Sequence, residues 1–362
     1  MSTWAPVPEA RRSVQVLEVL GIGLGAAGVL AVVTVIGASA GVAGTTTAGL
    51  LAFIPLAVVL LGIRWVDRWE PEPHATLVAA FLWGAGVATA ISLIFNTAIA
   101  LGLEQSGRSP FWQLVVSTAV VAPVVEEVTK GLGVLGILLF RHRTFDGPVD
   151  GVVYAATVAA GFAFVENILY FAQYGEALAP VFFARAVMSP FAHVVFTAMI
   201  GITLGIASRQ RSRLSWTWLF PAGLVGAILL HALWNFSTLS VRYVNLYFAL
   251  QVPLFVTLVG LVAWLRTREA AVLRHRLGEY AAAGWLSPAE VHMVASLGER
   301  RRARAWAGSR GRRREMAAFQ RRATELAYAR ERLATGRVPV TAAHDQARAL
   351  HDLTDARRAL YA

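Results

Sequence analysis

The sequence predicts an all-α membrane protein, with a bundle of about eight spanning helices followed by a small helical tail. The 362 residues are 56% hydrophobic and only 15% charged, whereas soluble proteins carry about 25% charged residues. Residues 1–265 hold thirteen basic and twelve acidic residues, but residues 266–362 hold twenty basic and ten acidic ones. Two regions that face different solvents are therefore predicted, a transmembrane bundle over residues 1–265 and an Arg-rich helical tail over residues 266–362.

Long apolar runs separated by short polar segments define the predicted spans. A helix needs about 20 apolar residues to cross the hydrocarbon of a bilayer. No alternating strand pattern is present, and backbone groups in lipid must be satisfied within each segment, which favours helices. The predicted spans are residues 16–38, 48–66, 75–101, 112–140, 149–171, 180–207, 216–238 and 245–265.

Basic residues predict the orientation of this bundle. With an even number of spans, both termini lie on one side, and that side collects eleven arginines. The other side receives Arg108, Arg185 and Arg242. The positive-inside rule therefore places both termini in the cytoplasm, and we expect an integral protein of a bacterial plasma membrane.

The cytoplasmic tail changes character after residue 266. Residues 284–288 (Gly-Trp-Leu-Ser-Pro) predict a turn and a helix start, and residues 312–335 and 341–361 have helical periodicity. The arginines could bind anionic lipid headgroups, but a solvated tail is the simpler interpretation. No nucleic-acid recognition module is visible, so no nucleic-acid partner is expected.

Ionisable residues within the fourth span form the first polar cluster. Glu126 and Lys130 are i,i+4 neighbours on a helix, and Glu127 lies three residues before Lys130, the only lysine in the chain. The ammonium can neutralise one carboxylate while the other acts as a general base. An interhelical ion pair that only fixes packing explains the same residues equally well.

The next three spans each add a polar cluster. Glu166 lies in the fifth span, His193 in the sixth, and His231 and Asn235 share one face of the seventh. Each alone has a structural interpretation, such as a packed histidine or a protonated acid. Ionisable groups cost at least ~2.5–3.5 kcal/mol each at membrane depth, however, so a set of this size indicates one shared hydrated site.

This set of residues suits the activation of water. The chain has no cysteine and no H-E-x-x-H motif, which excludes a thiol nucleophile and the zinc-protease helix. A glutamate base could take a proton from water, with His and Asn donors stabilising the oxyanion. Alternatively, His193, His231 and one or two glutamates, with Glu127 as the candidate, could bind one zinc ion with an open position for water. Both mechanisms remain open from the residues alone.

The four clusters resemble the motifs of the PrsW family of intramembrane proteases, which is related to the CAAX-protease and bacteriocin-processing superfamily. Residues 126–130 (Glu-Glu-x-x-Lys) are similar to the first motif, where the superfamily more often has E-E-x-x-x-R. Residues 162–167 (Phe-x-x-x-Glu-Asn) are similar to the second, His193 to the third, and residues 231–235 (His-x-x-x-Asn) to the fourth. The acidic segment 67–73 also resembles one that is common before the third helix.

The resemblance implies an integral-membrane endopeptidase that acts on a membrane-bound protein, in some members an anti-sigma factor. It implies that Glu126 and Glu127 supply a base and an orienting carboxylate, that His193 and His231 are ligands or oxyanion donors, and that Asn235 is a donor. Residues 1–265 would then be a catalytic bundle, with one zinc ion as cofactor or none if the mechanism is glutamate-based.

Two other functions compete with this interpretation. A proton- or ion-coupled transporter would also contain a chain of buried Glu and His residues, although no inverted repeat with paired broken helices is visible. A non-catalytic scaffold would use the same clusters as interhelical hydrogen bonds. Such bonds contribute only ~0.6 kcal/mol on average, which poorly explains so many costly groups.

Overall fold

The computed structural model describes residues 10–69, 71–141, 145–175, 177–210, 212, 214–334 and 342–361. Every regular element in these ranges is a helix, which confirms the all-α prediction. Glu70 of the acidic segment lies outside the described residues, as do three arginines of the predicted orientation, Arg143, Arg211 and Arg213.

Seven helices within the described ranges are long and apolar enough to cross a membrane. The fifth of these spans, Leu178–Ser208, is broken into α5 (Leu178–Phe182, continued by a π-helical turn) and α6. The membrane helices are α1 (Ala10–Val66), α2 (His74–Glu104), α3 (Pro110–Phe140), α4 (Pro148–Gln173), α5, α6 (Ala192–Ser208), α7 (Trp216–Thr238) and α8 (Tyr243–Ala282).

Helix α1 consists of two arms that meet at Gly41. A straight helix of its 57 residues would be about 86 Å long, far more than a bilayer needs. Gly41 has φ 71° and ψ 170°, a backbone conformation that glycine adopts readily because it has no side chain. Val32 and Ala52, one from each arm, belong to the same buried cluster. The arms therefore fold back on each other, and counting them separately gives eight apolar segments, as the hydropathy pattern predicts.

Helix α4 is the central helix of the bundle. Its most apolar stretch is 78% buried, compared with 11–56% for the other spans. Glycines allow its backbone to approach the neighbouring helices closely. A methyl group on Gly151 would lie 1.9 Å from the Gly201 carbonyl oxygen of α6, and one on Gly161 would lie 2.0 Å from the Phe81 carbonyl oxygen of α2. Close packing of small residues is the usual way in which membrane helices associate.

Four π-helical turns interrupt the spans. They widen the helix locally and occur frequently at functional sites. The turns are Trp83–Ala88 in α2, Ser117–Val121 in α3, Phe183–Met188 after α5 and Tyr247–Gln251 in α8. Each turn contains a residue that forms a hydrogen bond or an ion pair with another helix: Trp83, Thr118, Arg185 and Tyr247.

The outer face of the bundle is apolar, and its interior combines apolar clusters with buried ionisable residues. Large aliphatic and aromatic side chains are more than half exposed on the outer face, among them Phe53, Leu61, Val225 and Leu229. Glu127 and Lys130 are fully buried. This distribution fits a hydrocarbon environment, in which polar groups must pair within the protein.

The tail forms four further helices: α9 (Pro288–Val294), α10 (Leu297–Gly308), α11 (Arg313–Ala334) and α12 (Ala342–Tyr361). Gly284 has φ 80°, and Ser287 caps α9 in a reciprocal capping box with Glu290. The predicted turn and helix start at 284–288 are therefore confirmed. The two predicted tail helices also form, while their outermost predicted residues, 335 and 341, lie outside the described residues.

Contacts divide the chain into two compact units. The first comprises residues 1–67, 72–208 and 213–259, and the second comprises residues 68–71, 209–212 and 260–362. The second unit has its own core around Leu277, Phe319 and Leu326, each fully buried. The predicted assignment of residues 1–265 to a catalytic bundle and 266–362 to a cytoplasmic tail stays a prediction, because contacts do not report function or side of the membrane.

Candidate active site

The polar residues of four different helices come together inside the first unit. Helix α3 contributes Glu126, Glu127 and Lys130, α4 contributes Glu166, and α6 and α7 contribute one histidine each. Helical spacing places the three α3 residues on one face. The three glutamates, the lysine and both histidines predicted from the sequence therefore lie in one connected cluster.

Glu127 has both carboxylate oxygens in contact with other residues of the cluster. Its Oε1 atom lies 2.6 Å from Lys130 Nζ and 2.9 Å from His231 Nδ1, and its Oε2 atom accepts a 2.9 Å hydrogen bond from Thr197 Oγ1. Both oxygens are thus engaged. A carboxylate on Nδ1 fixes the histidine tautomer and leaves Nε2 as the free ring nitrogen, the arrangement common around metal-binding histidines.

His193 is held in the same way by Glu166. Its Nε2 atom lies 2.8 Å from Glu166 Oε2, and its Nδ1 atom lies 3.1 Å from Lys130 Nζ. Glu166 also accepts a hydrogen bond from the Arg185 guanidinium, whose Nε donates to Asn167 Oδ1 at 2.6 Å. Each histidine therefore has its own carboxylate, and the Lys130 ammonium lies between the two pairs.

Glu126 differs from the other two glutamates because it has an oxygen without a hydrogen bond. Its Oε2 atom is buried and has no hydrogen-bond partner among the described residues. Two basic groups lie within 4.0 Å of that atom, His231 Nε2 at 3.8 Å and Lys130 Nζ at 3.9 Å. Its Oε1 atom accepts only a long 3.4 Å contact from Asn96 Nδ2. A buried carboxylate oxygen left unpaired is costly and indicates a missing ligand or water.

A metal ion fits this set of donors. One ligand atom from each of Glu126, His193 and His231 lies within 4.8 Å of the other two. Two imidazoles and one carboxylate are a ligand set of catalytic zinc sites. This set contains Glu126 where the sequence analysis expected Glu127, whose oxygens are already occupied. His193 also has both ring nitrogens engaged, by Glu166 and by Lys130 Nζ, so a cation would have to displace one of these contacts, and the expected Glu127 ligand stays a prediction.

Aromatic rings surround the histidines. Phe196 stacks on His231 with a centroid distance of 4.8 Å and also meets the edge of His193 at 5.9 Å. Phe162 lies 4.3 Å from Lys130 Nζ in a cation–π contact. The polar cluster is therefore bordered by aromatic side chains on the sides of both histidines and of Lys130.

Asn235 is a predicted site residue whose hydrogen bond goes to the backbone of α3 and not to the polar cluster. Its Nδ2 atom donates a 2.8 Å hydrogen bond to the Thr118 carbonyl oxygen, which the π-helical turn of α3 presents. Asn235 therefore ties α7 to α3. Its predicted role as an oxyanion donor stays a prediction.

Sequence analysis missed several residues of the site. Arg185 was counted only as a basic residue of the non-cytoplasmic side, yet it bonds Glu166 and lies 4.0 Å from the Tyr170 ring. A charged residue within the apolar run 181–188 was a usable signal. Thr197 and Phe196 gave no signal, since hydroxyls and aromatic rings are common in membrane helices.

A second group of acids lies in the loop regions of the first unit, and we call Asp67, Glu72, Asp146 and Asp150 the loop acid cluster. Tyr154 Oη donates a 2.5 Å hydrogen bond to Glu72 Oε2, and the Glu72 amide donates to Asp67 Oδ1 at 3.1 Å. Burial raises the pKa of Glu72 to about 8, helped by the negative charges of Asp67 and Asp146 and opposed by the Tyr154 bond. Burial raises the pKa of Asp67 to about 7.

Comparison with known proteins identifies the family. The family described as PrsW family intramembrane metalloprotease matches residues 72–262. This range contains the glutamates, the lysine and the histidines of the candidate active site. No solved structure matches significantly. Among curated relatives named Protease PrsW, that of Clostridioides difficile (strain 630) is 33% identical over 194 residues, covering 52% of this chain and 77% of the relative.

Two more relatives agree with this result. The Protease PrsW of Bacillus subtilis (strain 168) is 33% identical over 173 residues, 47% of this chain and 72% of the relative. That of Oceanobacillus iheyensis is 29% identical over 225 residues, 61% of this chain and 95% of the relative. None of these matches supports the transporter alternative. The chain belongs to the PrsW family of intramembrane metalloproteases.

Proposed function

We propose that this protein is an endopeptidase that hydrolyses a peptide bond of a membrane-bound protein with water activated between Glu126, His193 and His231. The observation that carries the proposal is the unpaired Oε2 atom of Glu126, buried beside the free Nε2 atom of His231. A carboxylate oxygen that no described group engages is available to accept a proton from water. General-base catalysis of this kind contributes about 10²–10⁴-fold to the rate.

We further propose that Glu126, His193 and His231 hold one divalent cation, zinc by the nature of the donors. Such an ion, when bound, lowers the pKa of water to about 7 and polarises the peptide carbonyl. A carboxylate that offers one oxygen to the cation keeps its second oxygen for the proton. The glutamate-based mechanism without a metal is the competing version, and it uses the same Glu126 oxygen.

The remaining charged residues position these three. Glu127 and Glu166 each accept a hydrogen bond from one histidine ring and so fix the direction in which its other nitrogen points. Lys130 pairs with Glu126 and Glu127, and Arg185 pairs with Glu166, so two cations face three carboxylates. Orientation by second partners of this kind is typically worth 10–100-fold in metal affinity or activity.

The substrate class follows from the surroundings of the site. The reacting groups lie in helices with an apolar outer face, so we propose a substrate that is itself anchored in the bilayer, with an anti-sigma factor as the specific candidate. The arginine distribution supports cytoplasmic termini in a bacterial plasma membrane.

Co-expression with a single-span reporter protein tests the proposal. Glu126→Gln and His231→Gln should reduce cleavage at least 100-fold while the protein still inserts. Glu104→Gln and His74→Gln are matched controls, since both residues are exposed in other helices, and they should cleave at the wild-type rate. Wild-type cleavage by both site variants would overturn the proposed function.

Metal content is measured separately on the purified full chain. The metal mechanism predicts about one bound divalent ion per chain, lost in His231→Gln and retained in His74→Gln, together with inactivation by a chelator. Full activity of a metal-free preparation would instead select the glutamate-based mechanism. The protease assignment survives that result, because both mechanisms require Glu126.

A further inference from the structure

An apolar cavity of about 230 Å³ lies beside the candidate active site. Residues of the π-helical turn after α5, of the break at 189–191 and of α6, α7 and α8 line it, and none of them belongs to the donor set of the proposed cation. The lining residues used below are Val187, Phe196, Leu233, Trp234, Gln251 and Phe255. An engineered apolar cavity of about 150 Å³ binds benzene. The present cavity therefore has room for a leucine-sized or aromatic side chain.

The cavity lies where the fifth span is broken. Residues 189–191 are not helical, and they separate the π-helical turn Phe183–Met188 from α6. Non-helical backbone at membrane depth is tolerated where it lines a cavity or is buried in protein. Tyr247 Oη donates a 2.9 Å hydrogen bond to the Met188 carbonyl oxygen, which the break leaves without a helical partner. The break is thus held in place by the opposite wall of the cavity.

Phe196 is shared between the cavity and the active site. It lines the cavity, is 4% exposed, and stacks on the His231 ring at 4.8 Å. Trp234 also lines the cavity and lies 6.1 Å from Phe196. A group that fills the cavity therefore lies one aromatic ring away from a histidine of the donor set.

The rim of the cavity reaches the outer, apolar face of the bundle. Val187, Leu233 and Phe255 line it and are 56%, 39% and 37% exposed. This face contacts lipid in a membrane-embedded protein. An occupant that arrives laterally from the bilayer can therefore enter without crossing the polar cluster.

Gln251 supplies the one unsatisfied polar atom that we find in the described wall of the cavity. Ser237 Oγ donates its proton to the Trp234 carbonyl oxygen, so Gln251 must use its Nε2 group to bond Ser237. The Oε1 atom of Gln251 is then left as an acceptor, and it has no partner among the described residues. A buried acceptor without a donor is destabilising, and a ligand N–H removes that penalty.

We propose that this cavity is a substrate subsite, which binds a large apolar side chain next to the scissile bond while Gln251 Oε1 accepts a backbone N–H of the same segment. The proposal rests on the proposed function for the identity of the ligand as substrate. It adds a specificity determinant: the protease selects membrane segments with a large apolar residue at this position over those with a small one.

Photolabelling tests binding without requiring cleavage. The probe is N-acetyl-photoleucine methylamide, which has an aliphatic diazirine side chain and two amide N–H groups, added to the full chain in detergent. Labelled peptides should map to residues 187–196, 230–234 and 247–255. N-acetyl-leucine methylamide should compete, and N-acetyl-glycine methylamide should not. Labelling spread evenly over the apolar surface would overturn the proposal.

Two variants and one matched control sharpen this test. Leu233→Trp fills the rim and should reduce labelling at least five-fold. Leu229→Trp makes the same change one turn earlier on α7, on an exposed residue that does not line the cavity, and should leave labelling unchanged. Gln251→Leu keeps the wall apolar but removes the acceptor, and it should weaken competition by the leucine amide. Equal labelling of Leu233→Trp and Leu229→Trp would refute the subsite.

Cleavage selectivity connects the subsite to the reaction. For two reporter substrates that differ by Leu or Ala next to the cleaved bond, the wild type should prefer Leu by about tenfold or more in kcat/KM. Leu233→Trp should remove this preference, and Leu229→Trp should keep it. Absence of all cleavage with normal labelling would contradict the proposed function and leave the binding site standing. Cleavage without any preference would contradict the subsite alone.

Discussion

A substitution of Lys130 tests the proposed electrostatics of the site most directly. The Lys130 ammonium is fully buried, 2.6 Å from Glu127 Oε1 and 3.9 Å from Glu126 Oε2. With an effective dielectric constant of about 20, these distances correspond to attractions of ~6 and ~4 kcal/mol. Desolvation offsets much of that attraction, but removing one partner of a buried pair leaves uncompensated charge and costs ~3–5 kcal/mol.

We therefore expect Lys130→Met, which keeps an unbranched side chain of similar length, to lower the free energy of unfolding by ~3–5 kcal/mol. Adding Glu127→Gln should recover part of the loss, because it neutralises the acid that the ammonium had compensated. The measurement is reversible unfolding by SDS titration in mixed micelles, followed by circular dichroism. A double-mutant cycle on these two positions should show coupling of at least about 2 kcal/mol.

Arg141→Met provides the control for this prediction. Arg141 bonds Glu18 at 2.5 Å, but the two side chains are 24% and 12% exposed. Water reaches this pair and screens its attraction more than it does for the fully buried Lys130–Glu127 pair, so this variant should lose less stability than Lys130→Met. Equal losses in Arg141→Met and Lys130→Met, or a loss below about 1 kcal/mol in Lys130→Met, would refute the claim that the buried ammonium holds the carboxylates together.

Two further predictions concern the surroundings of the site. The pKa of Glu72 is raised from 4.5 to about 8. Between these two pH values the folded protein keeps a proton on Glu72 that the unfolded chain has already lost. The free energy of unfolding therefore falls as pH rises from about 4.5 to 8. Glu72→Gln, which can still accept the Tyr154 hydrogen bond, should make the melting temperature fall less steeply as pH rises. An unchanged slope would contradict the assignment of this pH dependence to Glu72. Gly151→Ala should cost ~1–3 kcal/mol or more and reduce activity, because its methyl group would meet a carbonyl oxygen of α6. Gly136→Ala, where no atom lies within 4 Å, should fold and cleave normally.

The helices were predictable because hydropathy is a local property. Seven of the eight predicted segments lie within described helices, once the arms of α1 are counted separately, and the eighth, 180–207, is interrupted at residues 189–191. Their ends were less predictable. Helix α8 continues to Ala282, well beyond its predicted end at 265, because backbone hydrogen bonds can continue into water after the apolar residues stop. The π-helical turns and the break at 189–191 have no hydropathy signature either.

The site was predictable as a set of residues but not as an arrangement. Glu126 and Glu127 are adjacent in the chain, and nothing in their order tells which one orients a histidine and which keeps a free oxygen. Adjacent helix residues point about 100° apart, so the neighbouring helices decided their roles. Thr197 and His231 hydrogen-bond to Glu127, whereas the one hydrogen bond that Glu126 receives from the described residues is a long one from Asn96. Arg185 likewise meets its partner Glu166 only through the packing of neighbouring helices.

Composition and order along the chain determined that this protein crosses a bilayer, that its tail is helical and basic, and that costly ionisable groups occur in consecutive spans. These properties depend on the free energy of transferring single side chains between water and hydrocarbon, and that free energy is a property of each residue type by itself. Only the tertiary structure decided which oxygen stays unpaired, which ring nitrogen is free, and that a cavity adjoins the histidines. Those outcomes depend on atoms from different helices meeting within a few ångströms, and the rotation and depth of each helix are set by its packing partners.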